Sequence, residues 1–149
     1  MTQANDSWFS PVLTAIDANA RSGGYIVAMS DYRPVLIQVV ADKCGLMLRD
    51  FRAEILKPKG WEAFATPLSE LDEYIDEGGG MIMNAEALLS TKSNNERAAW
   101  LSRFTLRTGP VAIVPLVVFA IDVPPSPRKV VLDPTTLPEE TLLTRLIDM

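Results

Sequence analysis

Short, unbroken apolar runs constrain the fold of this chain more than any other feature of its sequence. Such runs occupy residues 25–29, 81–83 and 130–132, and a longer one, rich in valine and isoleucine, occupies residues 111–121. Because apolar side chains follow one another without alternation, both faces of each strand are expected to be covered. Strands covered on both faces are typical of a parallel sheet between two layers of helices.

Amphipathic segments separate these runs, so the chain is expected to alternate between strand and helix. A helix that begins at about Arg33, with Pro34 in its first turn, is predicted to break at Gly45 and to continue to Leu56. Residues 61–66 are predicted to form a further strand. The order predicts a three-layer α/β domain with a mostly parallel five-stranded sheet. Further helices are expected over residues 7–19, 67–77, 94–109 and 137–147.

The first predicted helix, within residues 7–19, is an addition to this alternating pattern. Residues 1–24 are therefore interpreted as an N-terminal amphipathic helix with its linker, and residues 25–149 as the α/β domain. The apolar face of this helix carries Trp8, Phe9, Val12 and Leu13. It is expected either to dock on a partner or to pack on its own sheet.

Charge and composition exclude several classes of function. The net charge of −5 opposes binding to phosphate backbones, so nucleic acid is not an expected partner. The apolar stretch at residues 111–121 is too short to span a membrane, and the polar N-terminus does not predict a signal peptide. A single cysteine, Cys44, predicts a buried structural thiol. These features predict a cytoplasmic protein without a membrane partner.

The chain contains no histidine, which removes the usual general base of Ser-His-Asp and Cys-His catalysis. Residues 78–80 are three glycines, but they follow a predicted helix and precede a strand, whereas a phosphate-binding loop follows a strand and opens a helix. They are expected to end the helix. The sequence therefore predicts neither a catalytic site nor a bound cofactor.

Three aspartates follow predicted strands, namely Asp31, Asp122 and Asp133. The carboxyl ends of parallel strands face one crevice, where ligands usually bind, and carboxylates there could hold Mg²⁺. Asp31 and Asp122 are the candidate ligands. The alternative is that these aspartates cap helices and form turns, as aspartate often does.

The order of elements resembles the receiver domains of two-component signalling, and more narrowly the degenerate receivers of some hybrid sensor histidine kinases. The resemblance rests on residues 67–88, on the strand at 114–119, and on residues 130–134 leading to 141–146. It implies a sheet of flavodoxin-like or receiver-like type. A working receiver phosphorylates an aspartate after its third strand and holds Mg²⁺ on acids after its first strand.

The chain departs from that pattern at most of the positions that carry the chemistry. The phosphoacceptor position is Asn84, and the acidic pair is reduced to Ser30 and Asp31. Ala120 stands at the hydroxyl position and Asp133 at the lysine position. The resemblance then implies a pseudo-receiver without aspartyl phosphorylation. The link over residues 123–129 is also too short for the usual crossover helix, so the fifth strand is expected to run antiparallel or to pair differently.

These observations lead to one main hypothesis and two alternatives. The main hypothesis is a non-catalytic interaction module that binds a histidine kinase, another regulatory protein or itself. The first alternative is a flavodoxin-like domain that binds a small ligand or Mg²⁺ near Asp31, Asn84 and Asp122. The second is an enzyme that uses Asp31 or Glu86 as an acid or base.

Overall fold

A computed structural model of the chain describes residues 9–29, 33–117 and 128–132. The described ranges contain five strands, with helices between the first four, and each helix or strand is named here in chain order. The strands are β1 (Gly24–Met29), β2 (Leu48–Asp50), β3 (Gly80–Met83), β4 (Ala112–Val117) and β5 (Lys129–Val131). The α-helices are α1 (Ser10–Ala18), α2 (Pro34–Cys44), α3 (Leu68–Asp76), α4 (Glu86–Leu89) and α5 (Asn94–Leu106).

All strand pairs in the sheet are parallel, and the strand order is β2-β3-β4-β1-β5. The predicted three-layer α/β class with a five-stranded sheet is therefore confirmed. The layered architecture is flavodoxin-like, but flavodoxin-like domains have the strand order 2-1-3-4-5. Here β4 lies between β1 and β3, whereas strands 1 and 3 are neighbours in the order 2-1-3-4-5.

The two faces of the sheet are covered by different helices. Successive side chains of a strand point to opposite faces, and β1 divides accordingly. Tyr25 and Val27 belong to a core with α1 and α2, whereas Ile26 belongs to a core with α3 and α5. β1 has no charged or strongly polar residue, and all of its residues are buried, because both of these cores draw on it.

The helix α2 is shorter than the sequence predicted. It ends at Cys44, because Gly45 adopts the left-handed conformation (φ 68°) that ends helices readily when the residue is glycine. The amide of Leu46 then donates to the carbonyl of Ala41 and closes the turn. The prediction that the helix continues to Leu56 is wrong, since strand β2 begins at Leu48.

The predicted strand at residues 61–66 is also wrong. A π-helical turn, Arg52–Leu56, runs directly into a 3-10 helix, Lys57–Ala65, which contains this segment. Gly60 kinks the 3-10 helix with φ 59° and ψ −125°. We call residues 51–67 the β2–α3 connection. Pro58 and Gly60 disfavour an interior strand, which explains why two apolar aromatic residues did not produce one.

The fifth strand pairs differently from a receiver's, which was one of the two outcomes expected. It lies parallel to β1 at an edge of the sheet, with Val27 opposite Val130. In the order of the sheet, β1 therefore lies between β4 and β5.

The N-terminal helix α1 packs on its own domain. Phe9, Val12 and Ile16 are buried in the core formed with α2, and Leu13 is half-buried against it. Of the two expectations for this helix, packing on its own sheet is the one observed for these residues; Trp8 lies outside the described residues. Within the described ranges, no helix is long and apolar enough to cross a membrane.

Candidate functional site

The carboxyl ends of β2 and β3 form the floor of the candidate site. Parallel pairing sets Asp50 beside Met83, so the residues that follow both strands emerge at one edge of the sheet. Asn84 comes directly after β3 and adopts a left-handed backbone conformation (φ 63°), which asparagine tolerates better than most residues. Its side-chain Nδ2 donates to Oδ1 of Asp50 over 3.0 Å. The two strand ends are thus joined by a polar contact.

A cavity of about 630 Å³ opens above this contact. Its volume falls within the roughly 300–1,000 Å³ that is common for small-molecule sites. Asp50 and Asn84 lie at its base, and Ala87 and Thr91 line the side toward α4. The remaining wall comes from the β2–α3 connection. Ligands of parallel α/β sheets commonly bind outside the carboxyl ends of the strands, which is where this cavity lies.

Trp61 and Phe64 are the most unusual residues of the cavity wall. Trp61 is 99% exposed and Phe64 is 73% exposed, and both line the cavity. Side chains three residues apart are eclipsed in a 3-10 helix, so both rings project from the same side of this segment. We call these two residues the aromatic pair. Exposed apolar side chains beside a cavity are typical of binding sites.

Two cations line the same cavity. The side chains of Arg52 and Lys57 are exposed, and within the described part of the chain neither side chain forms a hydrogen bond or an ion pair. Lys59, by contrast, faces the other side of the connection and is bound to Glu70 and to the hydroxyl of Thr66. The cavity wall therefore presents two unpaired positive charges near one carboxylate, that of Asp50.

Arg49 and Tyr74 link the β2–α3 connection to the rest of the domain. The guanidinium of Arg49 donates to the carbonyls of Gly79 (2.7 Å) and Tyr74 (2.6 Å), and it lies 4.1 Å from the centre of the Tyr74 ring. The Tyr74 hydroxyl donates to Oε2 of Glu54 over 2.6 Å. Burial, together with this hydrogen bond, raises the pKa of Tyr74 above its ordinary value. The π-helical turn is thus held at a fixed position.

Glu86, the acid proposed for the enzyme alternative, has a structural contact. Its Oε2 accepts the backbone N–H of Val117, at the carboxyl end of β4, over 2.7 Å. The side chain therefore joins α4 to β4. Glu86 does not line the cavity described above.

The residues of the predicted phosphoacceptor pocket are only partly described. Asn84 lies at the carboxyl end of β3, as the sequence indicated. Four further candidates, Ser30, Asp31, Ala120 and Asp133, lie outside the described residues, as does the candidate metal ligand Asp122. Among the residues that the structure covers, no cluster of three or more acidic, cysteine or histidine side chains could hold a metal ion.

The strand order determines how far apart β1 and β3 lie, the two strands that precede residues of the predicted phosphoacceptor pocket. In the order 2-1-3-4-5, strands 1 and 3 are neighbours, so residues following them can share one site. In this chain β4 intervenes, and the axes of β1 and β3 lie roughly 10 Å apart at the usual spacing of strands. The contact that Asn84 does make is with Asp50 of β2.

The cavity wall was not predicted from the sequence. Arg52 fell within a predicted helix, Lys57 directly after its predicted end, and Trp61 and Phe64 within a predicted strand. A signal was present in Pro58 and Gly60, which mark the connection as irregular, and in the three-residue spacing of the aromatic pair.

No family model, curated protein or solved structure matches this chain.

Proposed function

We propose that this chain is a non-catalytic binding domain that holds a small ligand in the cavity at the carboxyl ends of β2 and β3. The observation that carries the proposal is the aromatic pair, which is exposed and yet lines a cavity of about 630 Å³. Burying one large apolar side chain gains about 1.5–3 kcal/mol, so a ligand that covers both rings would recover a substantial part of its binding free energy there.

The chemistry of the cavity supports binding rather than catalysis. The chain has no histidine, and the cavity carboxylate Asp50 accepts hydrogen bonds from the backbone N–H of Ala53 (3.1 Å) and from Asn84. A carboxylate fixed in this way serves as part of the wall. Cys44 is buried in the core on the opposite face of the sheet.

A ligand screen on the full chain tests the proposal. A set of small aromatic compounds, neutral and charged, is added while the melting temperature is followed. A ligand at one hundred times its Kd stabilises the folded state by about 2.7 kcal/mol, which corresponds to roughly 5–10 °C for a domain of this size. The Trp61→Ala variant should retain the melting temperature of the free protein and lose this shift.

The matched control is Leu106→Ala. Leu106 is also a large exposed apolar residue, 80% exposed, but it lies on α5 and does not line the cavity. It should retain the shift. Equal shifts in the Trp61→Ala and wild-type proteins would contradict a site at the aromatic pair.

The interaction module without aspartyl phosphorylation stays a prediction. Its proposed docking residues Phe9 and Val12 are buried within the domain, so a partner would have to use another surface. Incubation with acetyl phosphate, followed by measurement of the intact mass, should leave the mass unchanged. A mass increase of one phosphoryl group, lost on treatment with hydroxylamine, would contradict this prediction.

A further inference from the structure

The cavity has a chemical character that narrows the class of its ligand. We infer that it binds a planar aromatic anion of about the size of a mononucleotide, with the ring on the aromatic pair and the anionic group on Arg52 and Lys57. This inference rests on the proposed function and specifies the ligand for the same site.

The aromatic pair points to a planar ligand. A fully exposed indole offers its whole face, and stacking of a planar ring on such a side chain is worth about 1–3 kcal/mol. Trp61 and Phe64 project from one side of the 3-10 helix, so a ring of one or two cycles can contact both. An aliphatic ligand would gain burial there but not the stacking.

The charges point to an anion. Arg52 and Lys57 are unpaired within the described part of the chain, and they line the cavity in a protein whose net charge is −5. The one carboxylate of the cavity, Asp50, already accepts two hydrogen bonds. A phosphate or carboxylate on the ligand would form charge-assisted hydrogen bonds with the two cations.

Asn84 adds a polar contact at the base. Its Nδ2 is engaged by Asp50, whereas its Oδ1 has no hydrogen-bond partner among the described residues. This oxygen can accept an N–H from the edge of a heterocyclic ring.

The size of the cavity and the charge of the chain favour a small anion over a polymer. A volume of about 630 Å³ exceeds what a lone phosphate fills and suits a ligand of about twenty to thirty heavy atoms. A single-stranded nucleic acid would extend beyond the cavity, and the net charge of −5 opposes the binding of a polyanion.

Isothermal titration calorimetry with two matched pairs of probes tests the inference on the full chain. One pair is AMP and adenosine, and the other is 2-naphthoate and 2-naphthalenemethanol; inorganic phosphate is the fifth probe. In at least one pair, the anion should bind about ten times more tightly than its neutral partner, and phosphate alone should bind more weakly still. The pair that shows the preference distinguishes a phosphate ligand from a carboxylate ligand.

Variants assign the preference to the proposed residues. Arg52→Gln should weaken binding of the preferred anion about tenfold and leave the neutral partner unchanged. Lys43→Gln removes an equal charge from an exposed position at the end of α2, on the opposite face of the sheet, and should have no effect. Since Arg52 and Lys43 are both exposed, neither substitution should prevent folding.

Several results would overturn the inference. Equal affinity within both pairs would remove the anion preference but leave the proposed binding function intact. If inorganic phosphate binds as tightly as AMP, stacking of the ligand ring on the aromatic pair does not contribute to affinity. A decathymidylate oligonucleotide that binds more tightly than any small probe would point to nucleic acid instead. Failure of every probe and of the screened compounds would overturn the proposed function as well.

Discussion

Single residues of this chain show which polar and reactive groups are structural. Cys44 is buried beneath α1, and the guanidinium of Arg21 is bound to its backbone carbonyl. Burial raises the pKa of the Cys44 thiol from 9.0 to about 11. The thiol is therefore a core group, as its apolar sequence context predicted.

The raised pKa makes stability depend on pH under alkaline conditions. Between pH 9 and pH 11 the unfolded state loses the Cys44 proton while the folded state keeps it, so the free energy of unfolding falls as pH rises. From pH 8 to pH 10 this thiol should account for about 1 kcal/mol of the loss. Urea unfolding of the wild-type and Cys44→Ala proteins at both pH values measures it as the difference between their losses. Equal losses in the two proteins would contradict burial of the thiol.

At the scale of elements, the sequence predicted the strands that contain an apolar run and missed the one that does not. β1, β3, β4 and β5 were each recognised as apolar runs. β2 was missed because Leu48-Arg49-Asp50 is not an apolar run: Leu48 is 38% exposed, and the guanidinium of Arg49 donates to the carbonyls of Gly79 and Tyr74. No apolar run is required of such a strand.

Of the candidate site, the sequence predicted Asn84 and missed the aromatic pair. Asn84 was identified because it follows an apolar run directly. The aromatic pair was taken for strand residues because residues 61–66 were interpreted as alternating, whereas the 3-10 helix leaves both rings exposed. In a segment of only six residues, such a pattern does not separate a strand from a short helix.

The helix α1 provides a test at the scale of one element. Ile16 is fully buried between α1 and α2, so Ile16→Ala should lower the free energy of unfolding by about 2–5 kcal/mol. Thr14→Ala, on the exposed face of the same helix, should change it by less than about 0.5 kcal/mol. Chemical denaturation measures both. An unaltered stability in Ile16→Ala, with a change in molecular mass by light scattering, would instead indicate that α1 docks on a partner.

At the scale of the whole molecule, the sheet separates a purely structural core from the face that supports the cavity. One face, covered by α1 and α2, is a core that contains Cys44, and the other face supports the connection that builds the cavity wall. Helices on both faces leave the carboxyl ends of the strands as the edge where backbone groups and loop residues are accessible. Arg52, Lys57 and the exposed aromatic pair lie at that edge, in a chain whose overall charge is negative.

Mapping of amide chemical shifts by NMR tests directly whether a ligand binds in the cavity at the carboxyl ends of β2 and β3. The ¹⁵N-labelled chain is titrated with the tightest of the calorimetric probes, and the amides that move are located in the fold. A ligand bound in the cavity should shift the amides of Ala53, Gly60, Ala63 and Ala87 in a saturable way and leave those of α2, on the opposite face, unchanged. Saturable shifts confined to α2, or the absence of any shift at the cavity, would contradict it.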